Sequence, residues 1–524
     1  MDRREFLKRT APLSTIPFLL GGLAIRAYSR SPILNALTAG AESTDRVLVL
    51  VQLNGGNDGL NTVIPIDQYS ALSAARPNIL IPEAKVLRLS DATGLHPAMT
   101  GMHALFMDGR LAVIQGVSYP NPNLSHFRAT DIWLTAADST EVLASGWLGR
   151  YLDQEFPSYP AGYPSTEAPD PVAIQIGGVV SPVLQGPDVS LGMAVTNTSS
   201  TYTLPGGFDV PPDSPAGHEL IFVRNVAEQT QAYSKTIKNA ASRAANLSTL
   251  YPSKGSNSLA DQLRIVAQLV AGGLQTRIFV VNIGGFDTHS AQVTASATDT
   301  GTHATLLGRL SAAISAFQDD LRLLGIDGRV MGMTISEFGR RIVSNASNGT
   351  DHGTAAPLFV FGRHVNPGIL GSNPVIPAAA TSKDNLPMQY DFRGIYLALL
   401  KDWFGAPPQV IAEALPHPAA VVPVVSRSAS LAGETSPESI ILYQNYPNPF
   451  NSSTRIRYEI SQAGYVNLEV FNEIGQRVAV LVDEEQSAGI QNVTFDARTL
   501  SSGIYFYRLR AGGFSETKRL VLVK

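Results

Sequence analysis

Cysteine is missing from all 524 residues of this sequence. Its absence excludes disulfide bonds, thiolate zinc sites and a cysteine nucleophile, so any bound metal needs oxygen and nitrogen ligands. Basic charge is also scarce: the formal net charge is −4 and no basic stripe with interleaved aromatic residues occurs, which argues against a nucleic-acid partner. No GxSxG, Walker-type or GxGxxG sequence is evident, so nucleophile-elbow, P-loop and dinucleotide sites are not predicted.

The sequence does have a large apolar fraction. Hydrophobic residues make up 44% and charged residues 16% of the chain, a composition that excludes a disordered protein and permits a sizeable core. A chain of this length is expected to form about two to four domains.

The N-terminus has the composition of an export signal. Residues 3–8 read RREFLK, and the modest apolar stretch over 11–25 is too short and too interrupted for a permanent membrane span. Paired arginines followed by x-Phe-Leu-Lys resemble a twin-arginine signal. We predict a signal region over 1–41, with an ordinary secretory signal or an uncleaved anchor as alternatives. The resemblance implies the twin-arginine translocase as a partner and folding before export.

Short apolar runs rich in valine and isoleucine recur up to residue 425. They are RVLVLVQL (46–53), RLAVIQGV (110–117), PVAIQIGG (171–178), RIFVVNIGG (277–285), RVMGMTIS (329–336) and PLFVFG (357–362). Nearly continuous apolar runs are typical of strands buried on both faces of a parallel sheet. Helical patterns over 258–274 and 304–325 alternate with them. We therefore predict an α/β fold, a doubly wound and mostly parallel sheet, over 42–425, with a loop-rich cap at roughly 155–215.

The composition changes after residue 425. Residues 426–439 are small and polar, as in a linker, and residues 440–524 alternate apolar and polar positions, which predicts a small all-β sandwich of about seven strands. The stretches YQNYPNPFNSSTRIRYEI (443–460), LEVFNEIGQRV (468–478), LSSGIYFYRL (500–509) and the final KRLVLVK resemble the type A C-terminal sorting domain of the type IX secretion system of Bacteroidota-like bacteria. The resemblance implies the type IX secretion machinery as a partner, delivery to the cell surface or medium, and no chemistry in the tail.

Acidic and imidazole side chains gather near the ends of the predicted strands. They are Asp58 after the first strand, Asp287 and His289 after the fourth, Glu337 after the fifth, and Asp351 and His352 in the glycine-flanked loop before the sixth. Ligands bind beyond the carboxyl ends of strands in parallel sheets. Acids and imidazoles that meet there need a cation between them, and such ligands suit a divalent metal: zinc, manganese, magnesium or calcium.

Each of these residues also has an interpretation without metal. Asp58 could belong to turn chemistry alone, and the Asp-Thr-His segment could be a helix cap beside a surface histidine. Glu337 could form an ion pair with a following arginine. The Asp351-His352 dipeptide could be an ordinary solvated turn.

The stretch NPNLSHFRATDIW (121–133) contains the best candidate for a nucleophile. Ser125 at the start of a predicted helix would lie among free amide groups that favour an anion, although serine is also a common helix N-cap. His126 could be a metal ligand, a general acid or a packed side chain. Arg340 could orient an anionic substrate. Among the other histidines His96 has the best context, but none has a context comparable to these.

Residues 45–425 resemble the exported family known as domain of unknown function 1501. The stretches that carry the resemblance are LNGGNDGLNTVIP (53–65), SHFRATDIW (125–133), GWLGRYLD (146–153), GGFDTHS (284–290), and SEFGRRI with GTDHGTAAP (336–357). That family looks like a distant member of the alkaline phosphatase and sulfatase superfamily. The resemblance implies an alkaline phosphatase-like fold, Ser125 in the place of the nucleophile, and acid and imidazole ligands at Asp58, Asp287, His289, Glu337 and His352.

The sequence departs from the superfamily pattern at three points. Asp287 and His289 are closer together than in the superfamily, and Glu337 is followed by Phe338 where a histidine is expected. The Cys/Ser-x-Pro-x-Arg signature of sulfatases is absent, which excludes formylglycine chemistry. From the carboxylates and imidazoles at the strand ends we predict an exported, metal-dependent hydrolase of phosphate or sulfate esters. The alternative is a non-catalytic secreted surface protein that binds a polysaccharide or a protein partner.

Overall fold

The computed structural model describes residues 19–20, 23–24, 45–166, 168–198, 230–426, 441–445, 447–460, 463–473, 476–487, 489–511 and 514–524. Most of the predicted signal region and the predicted linker from residue 427 onward lie outside these residues. The chain divides into two compact units, residues 1–430 and 431–524.

The first unit contains both strands and helices, and a short antiparallel pair, Leu19–Leu20 with Leu23–Ala24, precedes them. Its strands are β1 Val47–Asn54, β2 Val63–Pro65, β3 Leu87–Arg88, β4 Thr93–Leu95, β5 Leu111–Ser118, β6 Ala173–Ile176, β7 Gly192–Val195, β8 Ile278–Gly284, β9 Val330–Ser336, β10 Ala356–Gly362, β11 Gly368–Leu370 and β12 Tyr390–Asp391. Its helices are α1 Gly59–Thr62, α2 Tyr69–Ala75, α3 Thr100–Met107, α4 His126–Thr135, α5 Trp147–Glu155, α6 Ser258–Ala271, α7 Thr302–Leu323, α8 Phe392–Ala398 with its π-helical continuation Leu399–Trp403, and α9 Pro408–Ala414; residues 230–243 are also helical.

A central sheet runs in the order β11-β5-β10-β9-β1-β8-β6-β7, with β12 beside β5. All of its pairings are parallel except those of β10, which is antiparallel to both β9 and β5. No helix lies between β9 and β10, so the chain returns without a crossover and the two strands pair antiparallel. The mostly parallel, doubly wound α/β fold expected from the sequence is confirmed.

Helices cover both faces of this sheet, which is why its strands are apolar at successive positions. In β1, Val49 and Val51 face the core that includes α3, α6 and α7, whereas Leu48 and Leu50 face the core that includes α4, α5 and α8. The aromatic residues Trp133, Trp147, Phe392, Tyr396 and Trp403 fill the second core. Within the predicted loop-rich cap, residues 173–176 and 192–195 form β6 and β7 and extend the central sheet, whereas residues 177–191 between them are mostly irregular; residues 199–215 of that segment lie outside the described residues.

The second unit is an all-β sandwich, as expected. Its strands are β13 Ile441–Leu442, β14 Ser453–Ile460, β15 Gly464–Asn472, β16 Arg477–Gln486, β17 Gly489–Asp496, β18 Gly503–Ala511 and β19 Phe514–Leu522. A three-stranded sheet, β13-β14-β17, and a four-stranded sheet, β16-β15-β18-β19, share one core that includes Ile456, Tyr458, Val466 and Leu509. In the part of the chain that the structure describes, no helix has the length and apolarity needed to cross a membrane.

Candidate metal centre

Three neighbouring parallel strands end at the same edge of the central sheet. In the pairing register, Gly284 at the end of β8 lies beside Asn54 at the end of β1, and Ser336 at the end of β9 lies beside Leu53. The loops that follow these strands therefore meet at one rim. This is the place where the sequence predicts the site.

The loops at the rim pack backbone against backbone, and glycine makes this possible. Gly55 has a φ of +121°, and a Cβ there would lie 2.2 Å from the backbone nitrogen of Asp287. At Gly353 a Cβ would lie 2.3 Å from the carbonyl carbon of Arg340. Any larger residue would push the ligand-bearing loops apart.

Four side chains meet around Asp287 at this rim, and we call them the rim cluster: His126, Asp287, His289 and His352. The Nε2 atoms of His289 and His352 lie 3.2 and 3.4 Å from Asp287 Oδ1, and His126 Nε2 lies 3.5 Å from Asp287 Oδ2. The two Nε2 atoms of His289 and His352 are 2.8 Å apart. Potential ligand atoms of His126, Asp287 and His352 all lie within 4.8 Å of one another.

The other nitrogen of each imidazole bonds to an acceptor oxygen. His352 Nδ1 lies 2.8 Å from the carbonyl oxygen of Leu124, and His126 Nδ1 lies 2.9 Å from Glu337 Oε1. His289 Nδ1 lies 3.2 Å from Asp351 Oδ1. Oxygen acceptors require a proton on each Nδ1, so each of the three rings donates from Nδ1.

The three Nε2 atoms face one another and a carboxylate, and in a neutral ring that donates from Nδ1 the Nε2 atom carries a lone pair. Burial lowers the pKa of His352, against the opposing effect of its bond to Leu124, so this ring is neutral at pH 7. Lone pairs facing each other at 2.8 Å repel unless a cation lies between them. Metal-bound histidines have this arrangement, in which the far nitrogen donates to a carboxylate or a carbonyl. The residues present thus fit a metal ion, and three imidazoles with one carboxylate suit a first-row transition ion such as zinc or manganese better than calcium or magnesium.

Glu337 lies behind His126, away from the point of convergence. Its Oε1 accepts a hydrogen bond from the Gly55 amide at 2.7 Å in addition to the bond from His126. The side chain is 5% exposed, and its Oε2 has no hydrogen-bond partner among the described residues. These contacts hold the His126 ring in place. The role of Glu337 as a direct metal ligand stays a prediction.

Arg340 is buried and bonds to the loops around it, and its role in orienting a substrate anion stays a prediction. Its guanidinium donates to the carbonyl oxygens of Gly56 and Thr350 at 2.7 and 2.9 Å, and to Asp287 Oδ1 at 2.7 Å. Burial alone would raise the pKa of Asp287, but the hydrogen bond and charge of Arg340, with further contributions from His289 and His126 in their protonated forms, lower it. Arg340 therefore keeps Asp287 ionised and oriented.

Asp58, a predicted metal ligand, is instead part of a buried ion pair. Its carboxylate is 1% exposed and accepts two hydrogen bonds from Arg76 Nη1, at 3.0 and 2.8 Å. A third bond, at 2.6 Å, comes from Gln292 Nε2. Burial would raise the pKa of Asp58, and the charges of Arg76 and His303 with the bonds from Gln292 and Arg76 outweigh it, so the pKa is lowered.

Asp58 belongs to a second set of polar residues, which we call the buried network: Asn57, Asp58, Arg76, Gln292 and His303. His303 Nε2 lies 3.0 Å from Asn57 Oδ1, and both residues are 1% exposed. Burial lowers the pKa of His303 to about 4 and that of the neighbouring His96 to about 3.

Sequence reasoning missed Gln292, because a lone glutamine in a loop has no motif. His303 is the second residue of α7, two positions after the N-cap glycine Gly301, and it is buried.

Asp351 and Ser125 lie at the edge of the rim cluster. The pKa of Asp351 is lowered, first by a hydrogen bond from Asn345 and then by its bond with His289, so it acts as an ionised partner of that ring. Ser125 is the exposed N-cap of α4, and its side chain makes no capping hydrogen bond. His126, the next residue, contributes its imidazole to the rim cluster. The role of Ser125 as a nucleophile stays a prediction.

Phe338 occupies the position where the superfamily pattern expects another histidine. Its ring is 2% exposed and lies against the rings of His126 and His352, with centroid distances of 4.9 and 4.5 Å. The side chain therefore packs behind two imidazoles of the rim cluster. One metal position is the most that the rim cluster indicates.

Each of the two units contains a stretch that matches a known family model. Residues 223–389 match the family model described as "Protein of unknown function (DUF1501)". The chain resembles the DUF1501 family. Residues 444–524 match the family model described as "Secretion system C-terminal sorting domain". The sorting domain indicates export by type IX secretion to the cell surface or the medium. No curated protein matches the chain.

Solved structures resemble the chain only weakly. A sulfatase from Pseudoalteromonas sp., PsFucS1, is 9% identical, with 89% of this chain and 87% of that chain covered and a TM-score of 0.32. A protein of the alkaline phosphatase superfamily from Vibrio parahaemolyticus is 9% identical over 91% of this chain and 84% of its own, with a TM-score of 0.29. PorZ of the type-IX secretion system of Porphyromonas gingivalis is 19% identical over 16% of this chain and 11% of its own, with a TM-score of 0.13. At these scores the likenesses carry no argument about the reaction.

Proposed function

We propose that this DUF1501-like protein is an exported metal-dependent hydrolase of phosphate or sulfate esters, with one divalent metal held by His126, Asp287, His289 and His352. The convergence of three Nε2 atoms on the two oxygens of Asp287 carries the proposal. In their neutral Nδ1–H form the three imidazoles cannot donate from Nε2 to one another or to Asp287. A metal satisfies all of them together.

When bound, a divalent ion would supply an activated water and would stabilise negative charge on a transferred phosphoryl or sulfuryl group. The protein's own residues orient that chemistry. Glu337, Asp351 and the Leu124 carbonyl hold the three rings, and Arg340 holds Asp287. Each ligand thus has a partner behind it that fixes its direction.

An anionic ester fits the surroundings of this centre. Helix α4 begins at His126, so its N-terminal amide groups lie beside the cluster, and the Ser125 side chain does not cap them. Helix N-termini favour anions, and a metal beside one adds positive charge. The exposed Ser125 hydroxyl is the side-chain candidate for the nucleophile, and a metal-activated water is the competing one.

Metal analysis and a substrate panel test the proposal. The purified full chain should contain about one transition ion per molecule and should hydrolyse aryl phosphate or aryl sulfate esters in the presence of Zn²⁺ or Mn²⁺. Asp287→Asn, which keeps an acceptor for Arg340, should abolish turnover. Ser125→Ala should abolish it only if the hydroxyl is the nucleophile. A chain without metal, and without turnover under any ion tested, would refute the proposal.

One observation favours a second function, a non-catalytic surface protein that binds a polysaccharide or a protein partner. Phe338 stands where the superfamily pattern has an imidazole, so a second metal lacks a ligand. A chain that binds metal and glycans but turns over no ester, with glycan binding intact in Asp287→Asn, would support this alternative.

The export route and the domain boundaries are proposals as well. We propose that residues 1–41 are a twin-arginine signal and that 42–425, 426–439 and 440–524 are the α/β domain, the linker and the sorting domain. Arg3→Lys with Arg4→Lys should stop export of a folded chain. Limited proteolysis should cut between residues 426 and 439.

A further inference from the structure

The side chain of Gln292 lies between the two loops that carry most of the rim cluster. Gln292 is 0% exposed and comes from the segment between β8 and α7. Its Oε1 accepts hydrogen bonds from the hydroxyls of Thr288 and Thr350, both at 2.9 Å. The same amide group therefore contacts both ligand-bearing loops.

Both threonines are immediate chain neighbours of functional residues. Thr288 stands between Asp287 and His289, and Thr350 precedes the Asp351-His352 pair. Both threonines are buried, at 3% and 0% exposure. The Thr350 amide also donates to the Thr288 carbonyl oxygen at 3.2 Å, so the two loops are joined directly as well as through Gln292.

The nitrogen of the Gln292 side-chain amide is held by a hydrogen bond to a charged group. Its Nε2 donates to Asp58 Oδ2 at 2.6 Å, and Asp58 is paired with the buried Arg76. A flipped amide would place its oxygen against the Asp58 carboxylate, which is repulsive. The ion pair thus fixes which end of the amide faces the threonines, and both hydroxyls must donate to Oε1.

We propose that Gln292 is a positioning residue for the metal centre, which transmits the fixed orientation of the Asp58–Arg76 pair to the loops bearing Asp287, His289 and His352. This inference rests on the proposed function, since it assumes that the rim cluster binds a metal. Gln292 touches none of the metal ligands through a side-chain bond. Its effect on them acts through Thr288 and Thr350.

Titration of the full chain with Co²⁺ tests the inference, because the visible absorption of bound Co²⁺ reports ligand geometry. Thr288→Val with Thr350→Val keeps the side-chain shape and removes both hydroxyls. It should weaken Co²⁺ binding about tenfold, the lower end of what outer-shell partners contribute, and should change the absorption spectrum. Thr288→Ser with Thr350→Ser keeps the hydroxyls and should bind like the wild type. Gln292→Leu should behave like the valine pair.

Gln268→Leu is the matched control for the loss of a glutamine. Gln268 donates to the carbonyl oxygens of Ala241 and Ala244, away from both ligand loops, so its loss should lower the melting temperature without changing the spectrum. If the wild type binds Co²⁺ and the valine pair shows the same affinity and spectrum, the positioning role is wrong while the metal centre stands. If the wild type binds no Co²⁺, the metal centre fails and the positioning role fails with it. Should Gln292→Leu not fold, the comparison of valine and serine pairs still decides the question.

Discussion

The rim cluster and the buried network use the same kinds of side chain in opposite ways. In the buried network every charge has a partner of opposite charge: Asp58 is paired with Arg76 at 2.8 Å and held by Gln292. In the rim cluster the inner nitrogens of three histidines face one another and one carboxylate, which is 46% exposed on its side chain. A buried carboxylate whose charge is already paired, such as Asp58, needs no further ligand. Imidazole nitrogens that face one another beside a carboxylate indicate a cation.

The comparison also explains how the two regions depend on each other. Buried ion pairs are poor sources of net stability but are costly to break, so they hold neighbouring groups in one arrangement. Asp58 and Arg76 do so beneath the rim, and Gln292 joins them to the loops above. The geometry of the exposed cluster is thus held from below.

The largest effect, a loss of unfolding free energy, should follow from a substitution in the buried network. Arg76→Met leaves the Asp58 carboxylate buried without its cation, and the free energy of unfolding should fall by about 3–5 kcal/mol whether or not metal is present. Urea unfolding in a chelator measures this. Arg88→Met, which breaks an exposed pair with Glu83, should cost at most about 1 kcal/mol. Equal losses of unfolding free energy in the two variants would show that the buried ion pair is no more costly to break than the exposed one.

Loss of a rim histidine should instead affect metal binding. His352→Ala removes an inner ligand, so the affinity for Zn²⁺ should fall more than about 100-fold, beyond the range of outer-shell substitutions. In the wild type, metal at 100 times its Kd should raise the unfolding free energy by about 2.7 kcal/mol, and a chelator should reverse this. The variant should show no such response. His103→Ala, on α3, is the control and should bind metal normally; an unchanged affinity in His352→Ala would contradict the assignment.

Acidification should destabilise the metal-free protein through the buried histidines. Burial lowers the pKa of His303 to about 4 and that of His96 to about 3, so both rings stay neutral in the folded state while the unfolded chain takes up protons below about pH 6.5. Stability should therefore fall as the pH decreases from 6.5 towards 4, by about 2 kcal/mol per histidine at pH 5. Urea unfolding at pH 7 and pH 5 measures the slope.

His303→Asn should reduce that slope, because one of the two titrating rings is gone. The charged groups that influence His303 are Asp58, Arg340 and Arg76, and they are unchanged by the substitution. His103→Asn should leave the slope as in the wild type. A slope that His303→Asn does not alter would mean that other groups cause the acid sensitivity.

The smallest effect should follow from Asp351→Ala. This residue accepts from His289 Nδ1 but contributes no atom to the point of convergence, so its loss should weaken Zn²⁺ binding about tenfold and leave the stoichiometry unchanged. Asp351→Asn, which keeps an acceptor oxygen, should lose less affinity for Zn²⁺ than Asp351→Ala. A complete loss of metal in Asp351→Ala would make Asp351 a direct ligand.

The elements of the fold were predictable because burial on both faces leaves a direct mark in the sequence. The runs at 46–53, 277–285 and 329–336 correspond to β1, β8 and β9, whose residues alternate between two cores. The antiparallel direction of β10 was not predictable from its composition. It follows from the absence of a crossover helix after β9.

The candidate site was predictable only in part. Asp58 and Asp287 both follow a Gly-Gly pair at the end of a strand, yet one is 1% exposed beside Arg76 and the other is exposed in the rim cluster. Arg76 lies on the chain after α2 and carries no signal of its role. The same holds for Gln292, whose partners come from three separate segments.

Strand ends, export segments and the chemical types of the ligands could be read from local patterns, since burial, turn formation and motif spacing depend on neighbours along the chain. Local patterns did not show which acid lies in the rim cluster and which pairs with Arg76, nor that Arg340 points inward. These features depend on contacts between residues up to 285 positions apart. Only the folded arrangement brings these acidic, imidazole and guanidinium groups together. Electrostatic pairing at short range then decides which acid is paired with an arginine and which is a candidate metal ligand.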